Sequence, residues 1–316
     1  MRSHPTSVGQ HFSLPVSVVP PQEFSSEDPL DLVNLKTLMQ ISSGRAQTII
    51  GLIDGPVNTS HEDLSGANVR ELPGNLRGGC SRSDSFACMH GTFVAGVLIA
   101  NRQSHAPAIC PGCTLLVRAI FTETSTIERQ MPSATADELC SALVDCVNAG
   151  AHVINLSAAL SQPSAKSESH LEEALDYCAK RGVIVVAAAG NQGTVGSSAI
   201  TRHPWCIPVG ACDLRGRPIG YSNLGNSIGR RGLSAPGVGV KSVNTAGNVP
   251  TFGGTSAAAP FVTGTIALLR SIFPAASSSN LKWSLTARRP ATRPSIVPPL
   301  LDAWASYKRL LDLSGR

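Results

Sequence analysis

Apolar strand-like runs alternate with helix-like stretches through the centre of this chain. Five runs lack polar alternation, which is typical of strands buried on both faces of a parallel sheet; they cover residues 48–54, 114–120, 152–157, 183–189 and 207–211. Apolar residues at helical spacing predict helices over residues 90–100, 134–149 and 169–181, and Gly150 and Gly182 stand where C-cap glycines are expected. The alternation predicts an α/β fold with a mostly parallel, doubly wound sheet.

The two ends of the chain differ from this centre. Residues 1–27 are rich in Pro and Ser, and we expect a disordered N-terminal segment there. A helix is predicted over residues 28–40, with Asp28 as its N-cap and Pro29 just inside it. From residue 291 the chain is again Pro-rich, and its last part predicts a helix over 299–313 that packs on the domain. The predicted organisation is therefore a segment 1–27, a main domain 28–290 and a C-terminal linker and helix 291–316.

Composition and charge exclude several classes of protein. Hydrophobic residues make up 42% of the chain and aromatic residues only 4%, so the core is expected to consist of Ala, Val, Ile and Leu. The net charge of +5 is spread thinly, without a basic block interleaved with aromatics, which argues against nucleic-acid binding. No apolar run reaches the ~18 residues of a membrane-spanning helix, and none near the start resembles a secretory signal. We therefore expect a cytoplasmic protein without a membrane partner.

Nine cysteines form an odd set, and without an export signal most are expected to be reduced. Cys110 and Cys113 have the spacing of a redox motif or of half a zinc site. Nothing completes that site, so we expect structural thiols and no metal or other cofactor. Cys80 and Cys88 are expected to pair only in an oxidising compartment.

The stretch 253–260 carries the first chemical signal. Two glycines lead into Thr255 and Ser256, followed by an apolar helical run to Phe273. Ser256 is thus predicted at the first turn of a helix, where backbone N–H groups and the positive end of the dipole favour a nearby anion. Such a position suits a nucleophile that forms a tetrahedral oxyanion. The alternative explanation is a serine N-cap on a buried helix.

A serine nucleophile needs a base within hydrogen-bond reach, and the base needs an acid that orients it. Asp54 ends the first buried run, His90 is predicted to open a helix, and Asn191 follows the run 183–189. Ligands of doubly wound sheets bind at the carboxyl ends of the strands, where these predictions place Asp54 and Asn191. Singly, each residue is also explained as a turn former or a helix start. The order Asp, His, Ser along the chain is the order found in subtilisin.

Four motifs in this order resemble those of the subtilisin-like serine proteases, the subtilase family, over residues 46–273: 49–54 (IIGLID), 90–96 (HGTFVAG), 187–191 (AAAGN) and 254–260 (GTSAAAP). The resemblance implies a three-layer α/β/α subtilase fold and a peptidase domain within 28–290. It implies Ser256 as nucleophile, His90 as general base and then acid, and Asp54 as the residue that orients the imidazole. Asn191 and the Ser256 backbone N–H are then expected to form the oxyanion hole.

The same resemblance suggests where a peptide binds. Residues 154–159 resemble the family segment that pairs with substrate as a strand and forms one wall of the first specificity pocket. Ser157, Ala158 and Ala159 are therefore expected substrate contacts on one wall, with Gly190 on the other. Family members usually carry glycine where Ala159 stands, and the added methyl group is expected to narrow or alter the pocket.

Two departures from the secreted members concern the substrate. The 45 residues before the stretch 46–273 that carries the resemblance hardly provide a folded propeptide, and no acidic cluster matches the family's calcium loops. Residues 54–57 and 149–155 are more similar to proteases that mature ribosomally made peptides, such as the cyanobactin leader peptidases. The predicted function is therefore a serine endopeptidase that acts on a restricted peptide or protein substrate, such as a precursor peptide. The alternatives are a general intracellular peptidase, a different serine hydrolase such as an esterase, and a catalytically silent peptide-binding scaffold.

Overall fold

The computed structural model describes residues 11–13, 17–18, 28–123, 133–157, 159–160, 165–243, 252–287 and 295–315, with backbone only for 11–13, 17–18, 159–160 and 165–167. The strands, in chain order, are β1 (His11–Ser13), β2 (Ser17–Val18), β3 (Ile49–Asp54), β4 (Asn68–Glu71), β5 (Thr114–Ala119), β6 (Ser133–Thr135), β7 (Val153–Leu156), β8 (Ala159–Leu160), β9 (Ile184–Ala188), β10 (Cys206–Cys212), β11 (Leu233–Pro236) and β12 (Phe252–Gly253).

The helices are α1 (Pro29–Leu32), α2 (Leu35–Ile41), α3 (Phe86–Ile99), α4 (Ala136–Asn148), α5 (Ala165–Lys180), α6 (Ala199–Arg202), α7 (Asn226–Arg231), α8 (Thr255–Ile272), α9 (Ser278–Thr286) and α10 (Ala303–Leu313). A short 3-10 helix covers Glu62–Leu64.

A seven-stranded sheet forms the middle layer, in the order β11-β10-β9-β7-β3-β5-β4, and all its pairs are parallel. The chain adds β5 on one side of β3 and β7 on the other, so the strand order reverses beside β3. A crevice for ligands is expected at the carboxyl ends of the strands at such a point. The predicted doubly wound α/β fold is confirmed, and its sheet is parallel throughout these seven strands.

Successive strand residues point to opposite faces of the sheet, which creates two cores. In β3, Leu52 belongs to the core beneath α3 and α8, whereas Ile53 belongs to the core beneath α4 and α5. The same alternation recurs in β9, where Val186 and Val185 point to opposite cores. Helices therefore cover both faces, which explains why these strands form continuous apolar runs in the sequence. The result is the three-layer α/β/α arrangement.

Two small antiparallel sheets lie outside the main one. Strand β1 lies between β6 and β8, and β2 pairs with β12. Both N-terminal strands fall within the segment 1–27 that the sequence predicts to be disordered, and the rest of that segment lies outside the described residues. The division of the chain at residues 27 and 290 stays a prediction.

Two of the differences between predicted and observed helices have a clear local cause. The helix expected over 28–40 is split into α1 and α2, because Asn34 adopts a left-handed conformation (φ 52°) between them. The helix expected to begin at His90 begins at Phe86, since the Ser85 side chain accepts a hydrogen bond from the Cys88 backbone N–H at 3.1 Å. His90 is therefore the fifth residue of α3 and not its first, and the expectation that it opens the helix was wrong.

The C-terminal residues form backbone hydrogen bonds with β11, the edge strand of the main sheet. The Ser234 N–H of β11 donates to the Pro299 carbonyl, and the Leu301 N–H donates back to the Ser234 carbonyl. Helix α10 then packs against α9 and α2. The helix predicted over 299–313 is observed as α10, which begins four residues later, at Ala303, after the Asp302 cap. Within the described part of the chain, no helix is both long and apolar enough to cross a membrane.

The structure places the two cysteine pairs that the sequence singled out in different states. Cys80 and Cys88 form a disulfide. Cys110 and Cys113 are buried free thiols, and their mutual hydrogen bond together with burial raises the pKa of Cys110 well above its ordinary value. The Cys110 thiol therefore stays protonated at neutral pH, whereas the same hydrogen bond lowers the pKa of Cys113.

One prediction concerns the contact between α3 and the end of β3. A methyl group on Gly91 would lie 2.4 Å from the Gly55 carbonyl oxygen and 2.5 Å from that of Pro56. Alanine normally favours a helix over glycine by ~1 kcal/mol. We nevertheless expect Gly91→Ala to destabilise the fold by about 1–3 kcal/mol, because the backbones must separate. Denaturant unfolding measures this.

The matched control is Gly196→Ala, whose added methyl group meets no atom within 4 Å. We expect that variant to unfold at the wild-type denaturant concentration. Equal stability of the two variants would contradict the packing argument.

Candidate active site

Ser256 is the second residue of α8 and is positioned by the turn that precedes the helix. Gly254 has φ 86° and ψ −159°, a conformation that favours glycine. A side chain there would also place its first carbon 2.3 Å from Asn191 Nδ2. The glycine therefore permits both the sharp entry into the helix and the close approach of Asn191.

His90 is held in the second turn of α3. The helix start is fixed by the Ser85 cap and by the disulfide from Cys88 to Cys80 in the preceding loop. Both constraints act within five residues of the imidazole. From the sequence the two cysteines were expected only as a conditional pair, and no signal there connected them with His90.

Asp54 is the last residue of β3. Its Oδ1 accepts a hydrogen bond from the Gly55 backbone N–H at 2.6 Å and lies 2.7 Å from His90 Nδ1. Asp54 Oδ2 is buried without a hydrogen-bond partner among the described residues. A carboxylate in this position stabilises positive charge that develops on the facing imidazole.

Asp54, His90 and Ser256 form one continuous hydrogen-bonded chain. His90 Nε2 lies 3.0 Å from Ser256 Oγ, while His90 Nδ1 faces Asp54. The Nδ1–H then donates to the carboxylate, which leaves Nε2 to accept the serine proton. All three side chains are fully buried. The structure thus brings together the three residues that the sequence assigned to the triad.

Asn191 lies opposite, in the loop after β9. Its Oδ1 accepts hydrogen bonds from the Thr255 backbone N–H at 2.9 Å and from the Thr255 hydroxyl at 3.0 Å. The Gly190 N–H in turn donates to the Thr255 hydroxyl at 3.1 Å. These contacts fix the orientation of the amide, with Oδ1 turned to Thr255 and Nδ2 as its donor end. Thr255, which sequence reasoning did not single out, is the residue that orients Asn191.

Phe252 adds an aromatic contact that sequence reasoning missed. Its ring meets the His90 ring edge to face, with centroids 5.3 Å apart and planes at 81°. Phe86 and Phe93 of α3 pack on the same Phe252 ring at 5.3 and 5.5 Å. Phe252 therefore restricts rotation of the imidazole. A single aromatic residue before the glycine pair was the only signal for it in the sequence.

The expected substrate wall is described in part. Ser157 follows β7 and Gly190 follows the neighbouring β9, so both lie at the carboxyl edge of the sheet beside β3. Asn155 Nδ2 donates to Ser157 Oγ at 3.0 Å, and the Thr263 hydroxyl of α8 donates to Asn155 Oδ1 at 2.8 Å. This link fixes the end of β7 to the helix that carries Ser256. Ala158 lies outside the described residues, and the backbone of Ala159 begins β8.

Comparisons with known proteins agree with this geometry. The subtilase family model matches residues 45–290. Subtilisin Savinase of Lederbergia lenta is 30% identical over 234 residues, which covers 74% of this chain and 80% of that protein. Subtilisin amylosacchariticus of Bacillus subtilis subsp. amylosacchariticus is 27% identical over 82% of this chain, and the match spans 65% of that relative's length.

Two solved structures share the fold at comparable identity. A mutant of the protease domain of PatA superposes with a TM-score of 0.74 and 29% identity, covering 85% of this chain and 97% of that one. The prenylagaramide maturation protease PagA gives a TM-score of 0.74 and 26% identity, covering 87% and 98%. The chain belongs to the subtilase family. Its Asp54, His90 and Ser256 have the arrangement of a subtilisin-like serine peptidase.

The aromatic contact on His90 generates a prediction. We expect Phe252→Ala to lower kcat/KM by about 3- to 10-fold, because an edge-to-face aromatic contact contributes about 0.5–1.5 kcal/mol. Phe252→Tyr keeps the ring and is expected to retain activity within about twofold. Steady-state kinetics on one peptide substrate measures both variants. An unchanged kcat/KM in the alanine variant would remove Phe252 from the positioning of His90.

Proposed function

We propose that this protein is a serine endopeptidase that hydrolyses peptide bonds through an acyl-enzyme. The single observation that supports this most strongly is the unbroken Asp54–His90–Ser256 hydrogen-bond chain. A serine hydroxyl is a weak nucleophile until a neighbouring base removes its proton. His90 Nε2 is within reach to take that proton as Ser256 Oγ attacks the carbonyl carbon, and then to deliver it to the leaving amine.

Asp54 acts on the reaction through His90, as the acceptor of its Nδ1–H. Its hydrogen bond to Nδ1 selects the tautomer in which Nε2 is the acceptor. The buried carboxylate also stabilises the imidazolium that forms during each step. Water then repeats the sequence on the ester of Ser256, with His90 again as base, and releases the acyl half of the substrate.

The tetrahedral oxyanion is proposed to lie between Asn191 Nδ2 and the Ser256 backbone N–H. Support comes from the fixed amide, whose Oδ1 is turned to Thr255, and from the place of Ser256 in the first turn of α8. Donors that are already oriented cost no reorganisation when the charge develops.

The substrate is proposed to bind as an extended strand along Ser157, Ala158 and Ala159, with Gly190 on the opposite wall. Backbone pairing of this kind supplies affinity that does not depend on sequence, and side-chain pockets supply the selectivity. Support comes from the positions of Ser157 and Gly190 after adjacent strands beside the triad.

A precursor peptide is the proposed substrate. Support comes from the PatA protease domain and PagA, which share this fold at 29% and 26% identity. PagA is described as a maturation protease. We therefore propose that this protein also cleaves a precursor peptide.

A cleavage panel tests the restricted substrate. The purified protein is mixed with unrelated unfolded proteins and with unstructured peptides of precursor type, and products are identified by mass spectrometry. We expect cleavage at a few sites of selected peptides and loss of all cleavage in Ser256→Ala. Broad degradation of the unfolded proteins would instead identify a general peptidase.

The proposed oxyanion donor gives a second prediction. We expect Asn191→Ala to lower kcat by about 100- to 1000-fold with little change in KM, the size measured for loss of such a donor in a subtilisin. Thermal unfolding is measured on the same sample, with Asn68→Ala on the exposed edge strand as a control that keeps full activity. Parallel losses of kcat and folded protein would count against a role in the oxyanion hole.

The alternative function is a catalytically silent scaffold that binds peptides. A fluorophosphonate probe distinguishes this scaffold from an active peptidase. The probe labels a serine only when it is activated and reachable. Covalent labelling at Ser256 that disappears in His90→Ala supports the peptidase.

A further inference from the structure

A short segment after β5 contacts both sides of the pair formed by Asp54 and His90. Residues 120–123 follow β5 at the carboxyl edge of the sheet, and the Ile120 N–H donates to the Asp54 carbonyl at 2.9 Å. Three residues later, the Glu123 side chain reaches the loop in front of α3. The segment therefore connects the strand end that carries Asp54 with the start of the helix that carries His90.

The Glu123 carboxylate accepts hydrogen bonds from four donor groups in the loop 81–85. Its Oε1 accepts from the Arg82 backbone N–H at 2.8 Å and from the Ser85 hydroxyl at 3.3 Å. Its Oε2 accepts from the Ser81 backbone N–H at 2.9 Å and also from the Ser81 hydroxyl. Hydrogen bonds to an ionised acceptor are about twice as strong as bonds between neutral groups. One side chain thus fixes both ends of this loop.

The Ser85 hydroxyl transmits this constraint to α3. It donates its single proton to Glu123 and accepts a hydrogen bond from the Cys88 backbone N–H at 3.1 Å. Because its proton is directed to the carboxylate, its lone pairs remain for the first turn of the helix. The negative charge of Glu123 also lies at the end of α3 that the helix dipole makes positive. Glu123 therefore orients the cap of the helix that carries His90.

An aromatic contact forms a second route to His90. Phe86 directly follows Ser85 and packs on Phe252 with ring centroids 5.3 Å apart. The Phe252 ring in turn meets the His90 ring at 5.3 Å. A displacement of Ser85 would move Phe86 and disturb the aromatic support of the imidazole. Both routes from Glu123 thus end at the same side chain.

We infer that Glu123 is a positioning residue, which holds α3 where His90 contacts Asp54 and Ser256 at once. This rests on the triad assigned under the proposed function. The two contacts of the imidazole, at 2.7 and 3.0 Å, must persist together for the serine proton to be transferred. Misplacement of a reacting group by 1 Å can cost about 100-fold in rate. Loss of Glu123 loosens the helix start and leaves the triad in place, so a smaller effect is expected.

Kinetics on the purified protein give the first test. We expect Glu123→Ala to lower kcat about tenfold with KM within about twofold, because the base is affected and not the groove. The assay temperature is set where thermal unfolding shows every variant to be folded. Glu123→Gln keeps one acceptor oxygen and is expected to lose only about threefold in kcat, and it replaces Glu123→Ala in both tests if that variant does not fold. Wild-type kcat in Glu123→Ala, or a loss confined to KM, would overturn the inference.

The matched control is Asp84→Ala, which removes a carboxylate from the same loop. The Asp84 side chain is exposed and pairs with the Arg82 guanidinium at 3.4 Å. We expect this variant to keep kcat within about twofold of wild type. Equal losses in Asp84→Ala and Glu123→Ala would assign the effect to the charge of the loop and contradict the role of Glu123.

NMR of the His90 ring gives a readout that needs no substrate. The proton between Nδ1 and Asp54 gives a far-downfield signal, and its rate of exchange with water reports how often this hydrogen bond opens. The signal is assigned by its loss in His90→Ala. We expect at least fivefold faster exchange in Glu123→Ala and an unchanged rate in Asp84→Ala. The same exchange rate in Glu123→Ala as in wild type would overturn the inference.

The two experiments separate this inference from the proposed function. Faster exchange in Glu123→Ala, in a protein that cleaves no peptide, would leave the positioning role correct and the proposed peptidase wrong. Peptide cleavage with unchanged kcat and exchange in Glu123→Ala would leave the peptidase correct and the positioning role wrong.

Discussion

A buried hydrogen bond between a carboxylate and an imidazole is the constraint on which the rest of the site depends. Burial of charge is costly unless geometry and partners are well matched, so the end of β3 and the second turn of α3 must be held at a fixed separation. The absence of a side chain at Gly91 lets the two backbones meet, and α8 then brings Ser256 to the far side of the same imidazole. The parallel sheet serves this arrangement by ending three strands at one edge.

The backbone at that edge also determines which peptide segments can bind near the site. Strand ends such as β8 and β12 present N–H and C=O groups that any extended peptide can pair with. A protein with an open edge of this kind faces competition between its own chain and foreign chains for the same hydrogen bonds. In this protein an extended segment of its own N-terminal region is at hand, and the pairing of β1 and β2 satisfies the edge internally.

Much of the fold and of the triad could be predicted from the sequence, because buried parallel strands leave continuous apolar runs and the motif order limits the chemistry. The start of α3 could not, since Phe86 to Met89 carry no helical periodicity. The exposed edge strand β4 has no apolar run, and its strand geometry comes from pairing with β5. Thr255 and Phe252 act through contacts with Asn191 and His90 that only the folded chain brings together.

The disulfide between Cys80 and Cys88 lies beside the helix turn that carries His90. Cys88 is two residues before His90 on the same helix, and its sulfur ties that turn to the loop in front of it. The Ser85 cap and this covalent bond act on the same turn of α3. The position of the imidazole is therefore secured by a cross-link in the chain as well as by side-chain packing.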